Sequence, residues 1–215
     1  IGLQGEMHHA ALIALHSIDA AQLFAWPTSI AAAIMLMAIG RQIGMAHRGQ
    51  WITLAIFYSS SAVIYMSGAG KSDIFALALG IAAYYWALQI YKGATPLSFW
   101  LTGLLLGFSI IAKVSYLPVM GVSILLLCVW CLLAGKTGQL PRNDAFKFMV
   151  GAALQIALAF AIAVLPHLIK NGVLFDSPFA PFIGESQSWA NQNWFSPETT
   201  KRILLAYPLS LTYGS

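Results

Sequence analysis

The sequence predicts an all-α fold, a polytopic transmembrane helix bundle of about six spans preceded by an N-terminal interfacial helix. Three observations predict it. Only 8% of the 215 residues are charged and 59% are hydrophobic, whereas soluble domains carry about 25% charged residues. The mean hydropathy is +0.76. The apolar residues gather in runs close to the ~20 residues that a bilayer crossing needs, and most of the charges stand at the ends of those runs. A water-soluble protein of this size could not cover its surface with so few charges. The net charge of +4 is spread between the runs and forms no block, so nothing in it favours a nucleic acid as partner.

The elements follow in order. The first segment, 1–19, contains HAALIALHSID, which is too short and too polar to span and reads as an interfacial or re-entrant helix on the outer face. The bundle occupies 20–169. Its first span is 20–40, with Pro27 expected to kink it near the start. Spans at 50–67, 73–91, 97–112, 116–134 and 146–169 follow, the fourth and fifth separated only by Ala112-Lys113-Val114-Ser115. The last segment, 170–215, is rich in Pro, Ser, Asn and Trp and reads as an outer polar loop, with 203–212 beginning a further span. The chain starts at Ile1 and stops in a polar stretch, so it reads as a piece of a longer protein.

Lys and Arg in short loops orient the bundle, because cytoplasmic loops carry the excess. One set of loops holds Arg41, Arg48, Lys92, Lys136, Arg142 and Lys147, and the other holds Lys71, Lys113 and Lys170. Six against three puts the first set in the cytoplasm. The expected location is a multi-pass protein of the bacterial inner (plasma) membrane. Of the acids, only Asp144 falls on the cytoplasmic side; Glu6, Asp19, Asp73, Asp176, Glu185 and Glu198 fall outside. An outer rim of mixed charge looks more like a polar cavity than like a row of anchors.

Within that rim, SGAGKSD at 67–73 ends like a phosphate-binding P-loop. That motif requires a glycine five residues before Gly70, after a strand; the position is Tyr65, between two membrane spans. The P-loop reading fails. Asp73 then either caps the following helix or lines a site, since ionisable groups at a membrane edge that pair across helices usually do. Lys113 either snorkels to the interface or offers a cation to a phosphate.

Glu6 and His9, spaced i and i+3, share one helix face and are the candidate metal ligands, whereas the adjacent His8 and His9 diverge. His16 and His167 read as packed polar residues and His47 as a loop residue. Cys128 and Cys131 read as buried, inert thiols on a membrane helix. Trp189 and Trp194, with Phe195, are either interfacial anchors or platforms that stack on a sugar ring.

Four stretches, in register, resemble one family: GEMHHAALIAL with the later LMAIGRQIG; GAGKSDIFALALGIAAYYWAL; LTGLLLGFSIIAKVSYLPV; and LPHLIKNGVLFDSPFAPFIG. They are similar to integral-membrane glycosyltransferases of the C-type fold, the superfamily of protein mannosyltransferases and aminoarabinose transferases. Lys113 matches the lysine of the family's "GLxxGLAxxTKYxxLLLP", and Lys170-Asn171 stands where the family has Arg-Asn. Asp176 takes a position where the family has Gly. The family's catalytic carboxylate lies on a first outer loop, upstream of Ile1, so the main catalytic residue cannot be named here.

The resemblance implies transfer of a hexosyl or pentosyl group on the outer face from a polyprenyl-phosphate-linked sugar. Lys113, Lys170, Asn171 and Lys71 would bind the donor phosphate. Asp73 and Glu6 would orient the acceptor, the base or a divalent metal ion, which is the one cofactor left open. Trp189 and Trp194 would contact acceptor or sugar. Membrane lipids and other membrane subunits are the remaining partners expected. Two other classes stay open: a transporter or flippase, and a non-enzymatic, pigment-bearing subunit with His8, His9, His16 or His167 as axial ligands.

Overall fold

A computed structural model describes residues 4–15, 17–93, 95–134, 142–175 and 178. Every regular element among them is helical. The helices are α1 (Gln4–Leu15), α2 (Ile18–Gln42), α3 (His47–Ser59), α4 (Ser61–Gly68), α5 (Ser72–Gly93), α6 (Pro96–Ala112), α7 (Val122–Ala134) and α8 (Arg142–Phe175), with a 3-10 turn at Val114–Tyr116 and a π-helical turn at Leu117–Gly121 between α6 and α7. Among the described residues, four helical segments are long and apolar enough to cross a membrane, and a fifth crossing results if α3 and α4 count as one bent span. The protein is therefore an integral membrane protein by length and composition. Of the expected polar tail, residues 170–175 and 178 are described; the remainder, with its expected further span, lies outside the described residues.

Caps and breaks follow from local chemistry. Ser17 accepts a hydrogen bond from the Ala20 N–H and starts α2, which satisfies one of the first-turn donors. Pro27 lies inside α2 and does not end it. The Thr28 and Ser29 hydroxyls donate to the Phe24 and Trp26 carbonyls beside it. Thr95 caps α6 by accepting from the Ser98 N–H, with Pro96 following at the first helical position, where a missing N–H is harmless.

The segment 50–67, expected as a span, is not one continuous helix. Ser60 is extended (ψ 117) and divides it into α3 and α4, bent by 66°. Three serines, Ser59 to Ser61, lie at that break, and the Ser59 hydroxyl donates to the Ile56 carbonyl. Hydroxyls that bond the local backbone compete with the helix ladder. Two other boundaries move as well: the fifth segment opens with non-α turns, and α8 continues beyond 169 to Phe175.

The chain forms two compact units, Gly2–Pro166 and the part from His167 onward. In the first unit α5 is central, packing on α2, α6 and α7. Its main core joins Ala83, Ala87 and Ile90 of α5 to Phe99, Leu106 and Ile110 of α6 and Ile124, Cys128 and Cys131 of α7. A smaller cluster joins Ala25, Val63 and Ile74. Alanine supplies many of the buried positions, as expected where helix contact in lipid depends on close backbone approach.

Helices α6 and α8 approach closely at two glycines. A Cβ on Gly103 would stand 2.3 Å from the Ile156 carbonyl oxygen, and one on Gly107 2.6 Å from the Ala163 methyl. These two glycines, four residues apart, line one face of α6 against the small residues of α8.

Candidate functional site

At one end of the bundle, α5 begins and α6 stops. The turn into α5 passes through Gly70 at φ +64, a left-handed conformation that glycine adopts without steric cost. A Cβ there would also stand 3.0 Å from the Gln22 backbone. Gly70 therefore lets the turn press against α2. The Lys71 N–H donates to the Met66 carbonyl, and its side chain is exposed. Asp73 follows in the first turn of α5, where a carboxylate complements the positive end of the helix dipole.

Lys113 ends α6 with an extended backbone (φ −153, ψ 103), and its ammonium complements the negative end of that helix. Both helix ends meet here. The Lys113 Nζ lies 3.4 Å from the Asp73 Oδ2, with the two side chains 29% and 27% exposed. The structure thus brings together two residues that sequence reasoning selected separately and put on the same side.

Tyr116 completes the arrangement and was not among the expected site residues. Its backbone N–H donates to the Lys113 carbonyl, and its hydroxyl donates to the Asp73 carbonyl at 3.3 Å. Deeper along α5 the same face is tied twice more. The buried Ser109 hydroxyl of α6 donates to the Ala76 carbonyl at 2.7 Å, and the Tyr84 hydroxyl bonds Ser123 of α7. Positions 73, 76, 80 and 84 form one stripe of α5, and Gly80 makes room there for Met120 and Ser109.

The chemistry available at this end is that of a partly open ion pair. A lysine ammonium has three donors and an ionised carboxylate only acceptors. With one donor directed at Asp73, Lys113 keeps two for another anion. Asp73 keeps acceptor capacity for a hydroxyl or a cation.

The other expected residues fall elsewhere. Lys170 and Asn171 belong to the second unit. Asn171 is buried, its Nδ2 lies 3.3 Å from the His167 Nε2 one turn earlier, and it donates to the Pro178 carbonyl at 3.4 Å; this amide ties the end of α8 to the chain that follows. Lys170 is half-buried beside it. Glu6 and His9 both lie on α1, but their side chains are outside the described residues, as are those of His8 and His16. Among the described residues no three metal-ligating side chains gather. Trp189 and Trp194 lie outside the described residues. Cys128 and Cys131 are free thiols buried in the core.

Compared with known protein families, with curated proteins and with solved structures, the chain shows no match.

Proposed function

We propose that the protein is a membrane-embedded transferase that takes a sugar from a polyprenyl-phosphate carrier, with the carrier phosphate bound at Lys113 on the outer face of a bacterial inner membrane. One observation carries the reading: the 3.4 Å pairing of Lys113 with Asp73 at a shared helix end, each side chain more than a quarter exposed. As the glycosidic bond breaks, charge develops on the departing phosphate, and a cation already held in place stabilises it. Asp73 fixes the lysine head and is the group within reach of an acceptor hydroxyl or a divalent ion.

The six-span topology belongs to the same proposal. Helix α6 has 17 residues, at the short end of the length a span requires. Helices α3 and α4 have 13 and 8 residues. At 1.5 Å per residue and the observed bend, their far ends lie roughly 27 Å apart, close to the hydrocarbon thickness. A crossing at α3–α4 keeps the charge bias at six against three. A re-entrant α3–α4 would reverse every later side, leaving Arg41, Arg48, Lys71, Lys113 and Lys170 against Lys92, Lys136, Arg142 and Lys147, five against four. The larger asymmetry favours the crossing. With α5 starting outside, α1 lies at the outer interface.

The same ion pair favours a second reading, a structural clasp between α5 and α6 with no substrate. The two readings separate in one experiment. Lys113→Met should abolish transfer of label from a polyprenyl-phosphate sugar in reconstituted membranes. The exchanged pair Asp73→Lys with Lys113→Asp should be more stable than Asp73→Lys alone, though below wild type because both charges then oppose their helix dipoles, and should not transfer. Wild-type transfer in Lys113→Met would remove the phosphate role, and recovery of stability alone, in a protein that never transfers, would leave the clasp.

A further inference from the structure

The contacts between helices fix which ends lie together. Gly70 presses on Gln22 and Phe24 meets Phe75, so the packed helices α2 and α5 start side by side. Tyr84 and Tyr91 of α5 meet Ser123 and Trp130 of α7 in that order, so these two also run the same way. Helix α6 runs against α5, because its end reaches Ala76 through Ser109 and Asp73 through Lys113. Helix α8 runs with α6, as Gly103 against Ile156 and Gly107 against Ala163 require. The ends of α2, α5 and α7 therefore gather with the starts of α3, α6 and α8, at the end of the bundle away from Lys113.

That end carries cations without counterions. Arg41 lies in the last turn of α2, Arg48 in the first turn of α3 and Lys147 in the second turn of α8. All three are exposed, and none makes an ion pair among the described residues. Asp144 is the one acid at this end whose side chain is described. The α2–α3 turn that holds both arginines is braced: the Gln50 amide donates to the Met45 carbonyl at 3.0 Å, and the Met45 side chain packs on Gly40 and Gly49. Just inside the cations lies a collar of exposed aromatic rings. Tyr91 and Trp130 stack with centroids 5.5 Å apart and planes 7° from parallel. Trp51 follows Arg48 by three residues, about 4.5 Å at the helical rise, and its ring N–H donates to the His47 Nε2 at 2.9 Å.

We propose that the α2–α3 turn, through Arg41 and Arg48, binds the headgroup of an anionic phospholipid. Charge complementarity selects this occupant. The described cations here outnumber the described carboxylate, so their counterion comes from outside the chain, and a zwitterionic headgroup brings no net charge to supply it. The aromatic collar sets the level. Trp and Tyr gather at the headgroup layer of a bilayer, and cations just beyond that layer attract anionic lipid. A soluble acidic protein would answer the arginines but leave the exposed rings beside them unexplained. The inference needs only that the bundle spans a bilayer, so it stands or falls apart from the transferase reading.

The test is native mass spectrometry of the full chain in detergent, titrated with phosphatidylglycerol or with phosphatidylcholine of the same acyl chains. The wild type should bind phosphatidylglycerol more tightly. In the double variant Arg41→Gln, Arg48→Gln the Kd for phosphatidylglycerol should rise about fivefold for each arginine removed, while that for phosphatidylcholine stays the same. The double variant Arg41→Lys, Arg48→Lys keeps the charge and should keep the preference. If the glutamine pair does not fold, Arg48→Gln alone carries the comparison. Equal affinity of the wild type for the two lipids, or a preference that survives loss of both arginines, overturns the proposal. A preference that disappears in Lys113→Met overturns it as well and assigns the anion to the opposite end of the bundle.

Discussion

Helix pairs α5–α6 and α3–α4 are both built from apolar sequence, yet they are buried to very different extents. Along α5–α6 the chain is tied from the Asp73–Lys113 pair inward through Ser109 to the Ala76 carbonyl, and ten residues of α6 are buried. Helix α3 buries none of its residues; Trp51, Ile52 and Ile56 are all more than half exposed. The first pair is buried against its neighbours along its length; in the second, α4 buries Val63 against Ala25 and Ile74, and α3 adds only the partly buried Phe57 and Tyr58. Hydropathy alone does not distinguish the two, because lipid accepts an apolar side chain as readily as a neighbouring helix does.

The sharpest way to break this contrast is at Gly103. In Gly103→Ala the new methyl would stand 2.3 Å from a backbone oxygen of α8. Backbone cannot swing aside as a flexible side chain can, so α6 and α8 must separate. The expected loss is about 2–3 kcal/mol, at the upper part of the range for overpacking a core, read as a fall in thermal unfolding temperature in detergent. Gly151→Ala on α8 is the matched control. Nothing lies within 4 Å of its added methyl, and the change should stabilise the helix by about 0.5–1 kcal/mol.

That prediction also marks what could be read from the sequence. Apolar runs and turn residues located the helices well, because membrane length and the separation of charge from hydrocarbon leave few alternatives. Alternation of sides put Asp73 and Lys113 at the same edge before any geometry was known. The break at Ser60 escaped, since serine lowers the apolar average only slightly and its effect comes from backbone bonding. Tyr116 and Ser109 escaped for a related reason: their acceptors are the Asp73 and Ala76 carbonyls, and a carbonyl is present at every residue, so it leaves no mark in the sequence. The spacing of Gly103 and Gly107 is visible as a small-residue motif, but its partner helix is not.

A smaller effect is expected from Ser109→Ala. The hydroxyl is fully buried and donates to the neighbouring helix at 2.7 Å. An interhelical hydrogen bond within a membrane protein contributes about 0.6 kcal/mol on average. The Ala76 carbonyl is still in its own helix, so it is not orphaned by the change. A loss near that figure, measured by the same thermal unfolding, would place this bond among ordinary membrane contacts; a loss of several times that would mean the ties along α5 act together.

The smallest effect should come from α3. Ile56 is 65% exposed on a helix with no buried residue, so Ile56→Ala exchanges one lipid-facing apolar side chain for another and leaves no cavity inside the protein. The expected change is within about 0.5 kcal/mol, as for surface positions generally. The value of so small an effect is what its failure would mean. If Ile56→Ala destabilised the protein as much as Gly103→Ala, then the outward face of α3 would be covered by protein in the membrane. The bend at Ser60 would then be the shape of an interface, and α3 would belong with the tied half of the molecule.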